Sequence, residues 1–352
     1  MKNKLIITIV GIAILFGIVC SGIIIGLGIQ QGESSHSQAN NTKRTPIQAW
    51  ESEKTKLDEF SDIAISLSYC DLFILPADGY YLEYRMDGSC EEPEYGVNGN
   101  RFYFQEGATQ LKYCTGWHLF FNSRYSSANQ GPFYVNLYVP KEQYFNLLEI
   151  SSESGNIELE DIQAKNIDIH AQYGNLQSDN FSGDDISVIA ESGNIELGNI
   201  DCNTLEINNQ YGNITAGSCK SARKTSLKLE SGDLTLSKLE TDSLTLSNEY
   251  GGCSVNEITL KQSDIAIESG NLKLLDATLG DTEIRNSYGN VTLNLAGDIS
   301  DYNYDLNASY GTIKLDGKTL PSDEDGVSRY QKDYGKDMDI IIGSDSGNIT
   351  IR

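Results

Sequence analysis

The sequence predicts an all-β chain. Its second half is a β-solenoid (β-helix) built from ~19-residue two-strand repeats, preceded by an irregular β capping region and one N-terminal transmembrane helix. Three observations carry this. Glycines recur at Gly155, Gly174, Gly193, Gly212, Gly232, Gly251, Gly270, Gly289, Gly311 and Gly347, and the first seven steps are 19, 19, 19, 20, 19, 19 and 19 residues. A fixed period of this size marks a repeat architecture whose units bury their apolar faces against their neighbours. After each glycine, apolar residues alternate with polar ones, the period of a strand with one face in and one face out. Finally, Leu5 to Ile29 is a 25-residue run without charge.

Counted from the glycine, apolar residues fall at plus 2 and plus 4, usually at plus 7, and again near plus 12 and plus 14. After Gly193 these are Ile195, Leu197, Ile200, Leu205 and Ile207. Outward positions hold Glu158, Glu160, Asp168, Glu196, Glu206 and Thr235. The apolar set of Ile, Leu and Val suits a pleated surface. Each unit therefore reads as two short strands separated by turns.

The corners come in two kinds. Acid-Ser-Gly occurs at 153–155, 191–193, 230–232, 268–270 and 345–347, and Tyr-Gly occurs at Tyr173, Tyr211, Tyr250, Tyr288 and Tyr310. A 19-residue coil stacks Tyr on Ser, whereas a coil of about 38 residues stacks like on like. Ladders of identical side chains stabilise stacked strands, which favours the longer coil, with the shorter one left open. Asn follows the glycine at 156, 175, 194, 213, 271, 290 and 348, where it suits a tight turn by bonding its local backbone. Asn213, Asn290 and Asn348 sit in Asn-x-Thr sequons, which a Gly-Asn corner before a Thr-rich strand produces by itself. The repeat frays over 316–338, a polar stretch that reads as a loop, either a cap on the exposed edge of the last coil or a disordered flap.

The N-terminal parts read in order as a cytoplasmic stub (1–4), a signal-anchor helix (5–29), a polar extracellular tether (30–59), an aromatic-rich β region (60–148) and the repeats (149–352). The apolar run is long enough to span a bilayer and too long for a cleaved signal, and Lys2 and Lys4 place its start in the cytoplasm. Val19 before Cys20 argues against a lipoprotein signal, and the spacing of Gly22 and Gly26 is weak evidence for helix pairing. The localisation expected is the cell membrane, single-pass, with the C-terminal domain outside. Between Tyr69 and Phe145 lie 19 of the 32 aromatic residues. That density reads as a core plugging the first coil, or else as a sugar-contacting surface.

Of the six Cys beyond the anchor, Cys219 and Cys253 occupy apolar positions of the repeat and read as small buried hydrophobes. A disulfide is expected among Cys70, Cys90 and Cys114. The net charge of −24 argues against nucleic acid and anionic lipid as partners. The acidic corners permit Ca²⁺, but without a calcium-binding motif they read as solvated charge. No cofactor or metal site is expected. His36, His118 and His170 have no Ser or Cys partner in a nucleophilic arrangement, and no unit departs from the repeat as an active site would.

The stretch Tyr134-Val135-Asn136-Leu137-Tyr138-Val139-Pro140-Lys141, followed by Leu148 to Leu159 with Ser154-Gly155-Asn156-Ile157, resembles the bacterial adhesin-like family of β-strand-repeat proteins of unknown function. The resemblance covers roughly residues 60–352. It implies a β-solenoid on the bacterial cell surface and supplies no catalytic residues. The function expected is a non-enzymatic, membrane-anchored surface protein presenting the solenoid to a protein or a cell-wall glycan. The alternative is an envelope-stress or regulatory component acting through a membrane partner, and the least favoured reading is a polysaccharide-acting enzyme.

Overall fold

The structure is a computed structural model that describes residues 48–108 and 132–352. The anchor segment 5–29, most of the tether, His36, Cys114 and His118 lie outside the described residues. Among the described residues no helix is long and apolar enough to cross a membrane, and the only helical element is a single 3-10 turn, Ile299–Asp301.

Parallel pairing joins each residue to the one 19 positions on: Leu176 pairs with Ile195, and Ile195 with Ile214. One coil is therefore about 19 residues, which corrects the preference for the longer coil. Tyr stacks on Ser, as in Ser192 against Tyr211. The corner side chains are exposed, so like-on-like stacking brings them little. The aliphatic columns and backbone ladders repeat at every rung, and they set the coil.

Each rung has three arms rather than two strands. In the rung of strand Ile195–Tyr211, the buried positions are Ile195 and Leu197, then Ile200 and Cys202, then Leu205, Ile207 and Asn209. Alternation breaks after Leu197 and after Cys202, where the chain turns while the ladder continues. Stacking these arms makes continuous buried columns. One runs Ile65, Ile150, Ile169, Val188, Ile207, Leu227, Leu246, Ile265, Ile284, Ile342 and Leu306. The single 20-residue step is absorbed at the second corner, where the register slips between Ser221 and Lys224 so that residues 222 and 223 oppose one neighbour. Such an extra residue is a β-bulge, which leaves the remaining columns aligned.

The glycines mark where successive corners approach most closely. A Cβ on Gly212 would lie 2.0 Å from the carbonyl oxygen of Gly193, and its φ is +142°. That conformation is extended but mirror-handed, essentially accessible to glycine alone. It is not the left-handed helical turn that a Gly-Asn pair suggests. Gly155 lacks a positive φ in this range yet meets the same limit, since its Cβ would fall 1.9 Å from the Cys70 carbonyl oxygen.

Both ends differ from a simple winding. Strand Asp339–Ser346 pairs with Asp281–Tyr288 on one side and with Asn303–Ala308 on the other, so the C-terminal rung lies inside the stack and the 303–315 rung lies outermost. The loop expected over 316–338 does cover that outer edge, through Ser328–Lys332 antiparallel to Asn303–Ala308 and Lys318–Thr319 against Ile313–Leu315. The N-terminal end mirrors this. Asp62–Leu67 and Asp71–Ala77 form a rung beneath Tyr144–Ser152 and Ile157–Leu159, while Arg101–Gln105 and Tyr134–Pro140 lie outside it. Antiparallel Glu94–Asn98, Tyr81–Met86 and Trp50–Lys56 finish that edge. Region 60–148 thus supplies a true rung as well as a cap, and the expected tether is a β-strand over its last part, Trp50–Lys56. The aromatics do plug this end. Phe60 packs on Tyr80, Phe102 and Phe145, and Tyr84 on Tyr95 and Phe104.

Gly212→Val is expected to cost at least ~1–3 kcal/mol from its backbone conformation alone, with the clash against the Gly193 carbonyl added. Chemical denaturation of purified protein checks this, and an unchanged midpoint would contradict the corner geometry. Ending the chain at Met338 removes the rung between Asp281–Tyr288 and Asn303–Ala308. The expected result is loss of soluble monomer on size-exclusion chromatography, because a bare strand edge pairs with other chains.

Candidate binding surface

The corner holds the densest set of exposed side chains that recur. Its backbone is fully used between rungs. The Gly193 N–H donates to the Tyr211 carbonyl at 2.9 Å and the Ile195 N–H to the Asn213 carbonyl at 2.9 Å. Between these two, the N–H of the residue after the glycine has no carbonyl above it. The Asn of the rung beneath supplies the acceptor: Asn175 N–H donates to Asn156 Oδ1 at 3.0 Å, Asn194 to Asn175 at 2.9 Å and Asn213 to Asn194 at 3.0 Å. Asp71, Asp233, Asn271, Asn290 and Asn348 play the same part along the stack. The recurrent Asn is thus an inter-rung acceptor rather than a local turn former, and the three sequon residues belong to this ladder. Inside three corners, Asn209, Asn248 and Asn286 are buried and donate from Nδ2 to the carbonyls of Gly193, Gly232 and Gly270 at 3.0, 2.9 and 3.1 Å.

With the corner fixed, the residue before the glycine points to solvent at every level. Read through space, this column is Tyr69, Ser154, Tyr173, Ser192, Tyr211, Ser231, Tyr250, Ser269, Tyr288, Ser346 and Tyr310. Tyr and Ser alternate without a break over eleven levels. In chain order the alternation fails, because Tyr288 is followed by Tyr310 and then Ser346. The inserted C-terminal rung restores it. Tyr69 belongs to the same column although no glycine follows it: Gly155 stacks on the Cys70 carbonyl instead. Sequence reasoning missed Tyr69 for that reason.

The six tyrosines are 57–79% exposed. Neighbouring rungs lie ~4.8 Å apart, so the rings recur every ~9.5 Å along a line of about 48 Å. One residue earlier, the Ser levels carry Glu153, Glu191, Glu230, Glu268 and Asp345, while the Tyr levels carry Ser68, Gln172, Gln210, Glu249, Ser287 and Ser309. Carboxylates therefore flank the gaps between rings, mostly two rungs apart. Among the described residues no group of three or more His, Cys, Asp or Glu side chains is placed to hold a metal ion.

The other candidate residues are not brought to this surface. His170 is exposed on a strand and pairs with Asp168 at 3.2 Å. Cys70 is a buried free thiol whose Sγ contacts Glu106 Oε1 at 3.4 Å, and burial first, then that carboxylate, pushes its pKa up. The expected disulfide therefore does not run through Cys70, and Cys114 lies outside the described residues. Cys219 and Cys253 are buried in the apolar columns as expected, and Cys202 joins them at plus 9 from Gly193, an inward position the sequence pattern did not reveal.

A family model matches the chain twice, over residues 60–214 and 182–352, and together the matches span most of its length. The chain belongs to the Toastrack DUF4097 family. The β-strand-repeat resemblance seen in the sequence is thereby established. Two crystal structures also match: a candidate cell adhesion protein from Clostridium sporogenes, 12% identical, covering 86% of this chain and 99% of the other with a TM-score of 0.20, and a candidate adhesin from Parabacteroides distasonis, 8% identical, covering 87% and 97% with a TM-score of 0.37. At those scores the assignment rests on the family match. Among curated proteins no significant match was found.

Burial, the largest cause in each case, pushes the Cys202 and Cys219 thiols up to about 12 and Cys253 up to about 11. Alkylating agents react with thiolates. At pH 8 these three are expected to resist iodoacetamide in the folded protein and to react within minutes once it is unfolded, as read by peptide mass spectrometry. Modification of the folded protein would contradict their place in the columns.

Proposed function

We propose that this is a non-enzymatic, membrane-anchored bacterial surface protein of adhesin-like type. In this reading residues 5–29 form a single-pass anchor with the N-terminus in the cytoplasm, and the solenoid stands outside the membrane as a binding surface for a protein or cell-wall glycan. The observation that carries it is the corner column. Its exposed aromatic side chains recur on a rigid scaffold whose apolar and backbone groups are already occupied. The repeated surface presents many equivalent contacts, the arrangement suited to an extended partner. The charge-free run of Leu5 to Ile29 supports the membrane placement.

Deleting residues 5–29 is expected to move the protein from the membrane pellet to the soluble fraction. Protease added to intact cells is expected to degrade the solenoid of the full chain. A solenoid that stays protected until the cells are broken would refute the surface placement. Full-length protein in detergent is further expected to sediment with isolated envelope material.

A further inference from the structure

The corner column offers more than a generic sticky edge, because its chemistry has a period of two rungs. We propose that the line of Tyr69, Tyr173, Tyr211, Tyr250, Tyr288 and Tyr310 is a comb that binds an extended β-1,4-linked N-acetylhexosamine glycan of the cell wall. This rests on the surface placement proposed above and names the ligand for it.

The argument is one of matching periods. In an extended β-1,4-linked chain each pyranose is turned over relative to the last, so the same ring face recurs at every second sugar. Each sugar advances the chain by slightly more than one rung spacing. Rings at every second rung, ~9.5 Å apart, therefore meet the same sugar face over a run of a few neighbouring rings, where side-chain freedom takes up the small excess of the glycan repeat. The apolar C–H face of a pyranose packs on an aromatic ring, and exposure of 57–79% leaves these rings open to it. The turned-over sugars fall at the Ser levels, where Ser154, Ser192, Ser231, Ser269 and Ser346 leave room. A Tyr at those levels would face the other side of the sugar.

The acids decide the charge class. Glu153, Glu191, Glu230, Glu268 and Asp345 stand beside those Ser levels. Carboxylates only accept hydrogen bonds, so they favour a ligand rich in donors, the hydroxyl and acetamido N–H groups of an N-acetylhexosamine. They repel uronic acid polymers and phosphate-linked polymers. An α-1,4-linked chain coils and does not hold a straight line of about 48 Å. A stretched peptide has no reason to alternate at this period, since a strand repeats its side-chain direction at about two-thirds of the ring spacing.

The test is calorimetric titration of the full-length chain in detergent with chitobiose, chitotetraose, chitohexaose and, as the coiled control, maltohexaose. Affinity is expected to climb from chitobiose to chitohexaose, with maltohexaose at least tenfold weaker than chitohexaose. Removing rings tests the residues. Tyr→Ser changes at 211 and 250 place in each corner the residue that neighbouring corners already hold, so the fold is expected to persist, checked by circular dichroism and melting. The loss expected is about three- to tenfold per ring removed. Tyr211→Phe keeps the ring and is expected to keep binding. Ser231→Tyr fills a gap, and the comb requires it to give no gain, whereas simple aromatic stickiness requires one. Unchanged chitohexaose affinity in the double Tyr→Ser variant, equal binding of maltohexaose, affinity independent of length, or a gain from Ser231→Tyr would each overturn the proposal. Isolated cell walls separate this from the surface reading. If the double variant sediments with walls as wild type does, the comb is wrong and surface binding stands. A wild-type chain that binds neither walls nor any surface protein strikes the surface reading itself.

Discussion

Everything in this solenoid follows from holding successive corners at the spacing of a β-ladder. At ~4.8 Å between rungs, the carbonyl of one corner occupies the place where the next corner's Cβ would stand, so Gly212 over Gly193 admits no side chain. The same tight stacking leaves one N–H per rung without a backbone carbonyl. The Asn column supplies the missing acceptor through Asn156, Asn175, Asn194 and their successors. Gly and Asn are thus two answers to one geometric demand, the first to exclusion and the second to hydrogen bonding. The aliphatic columns then hold the arms at the same separation, each Ile or Leu resting on its equivalent in the neighbouring rung.

A stack of parallel rungs must end somewhere, and a bare rung is an open edge. This chain solves the problem in the same way at both ends. The rung nearest each terminus of the folded part is buried one level in, as 62–77 at one end and 339–351 at the other, and a segment from further inside the sequence forms the outer level. Those outer levels carry antiparallel strands, Tyr81–Met86 and Glu94–Asn98 at one end and Ser328–Lys332 at the other. At both ends the caps are built largely from the segments that link the exchanged rungs. The order also constrains folding. The 303–315 rung joins the stack only through Asp339–Ser346 and Ile349–Ile351, so it cannot dock before they do.

Much of this was legible in the residues. Spacing of two after each glycine located the inward positions at plus 2, 4, 7, 12 and 14, and Cys219 and Cys253 could be placed in the core by register alone. What stayed hidden depends on contacts between rungs. The inward positions at plus 9 and plus 16 hold Cys202, Ser221, Asn209 or Leu229 in different rungs, too mixed for an apolar pattern to reveal. Coil length was misjudged because like-with-like stacking was applied to Tyr and Ser, whose side chains lie outside the ladder. The 222–223 bulge left only a 20-residue step. The exchange of rung order left only uneven spacing around Gly311 and Gly347. Tyr69 had no glycine beside it to mark its place.

The alternation of Tyr and Ser is the one periodic feature that rung mechanics do not require. The corner Gly, the Asn or Asp acceptor and the aliphatic columns recur from rung to rung with few exceptions and no two-rung period, as a structure made of equivalent rungs demands. A two-rung period can come from the interior only if an inward position shares it. The nearest inward position beneath the Tyr levels holds Leu67, Ala171, Asn209, Asn248, Asn286 and Ala308, and beneath the Ser levels Ser152, Ala190, Leu229, Ile267 and Ser344. Small, polar and aliphatic residues occur in both sets, so the buried Asn residues account for three Tyr corners and leave three without such a partner. The exposed face keeps its alternation through the C-terminal rung exchange, at Tyr288, Ser346 and Tyr310, where chain order would have broken it. The two-rung period therefore belongs to the outer surface, and it is there that a partner with the same repeat finds its match.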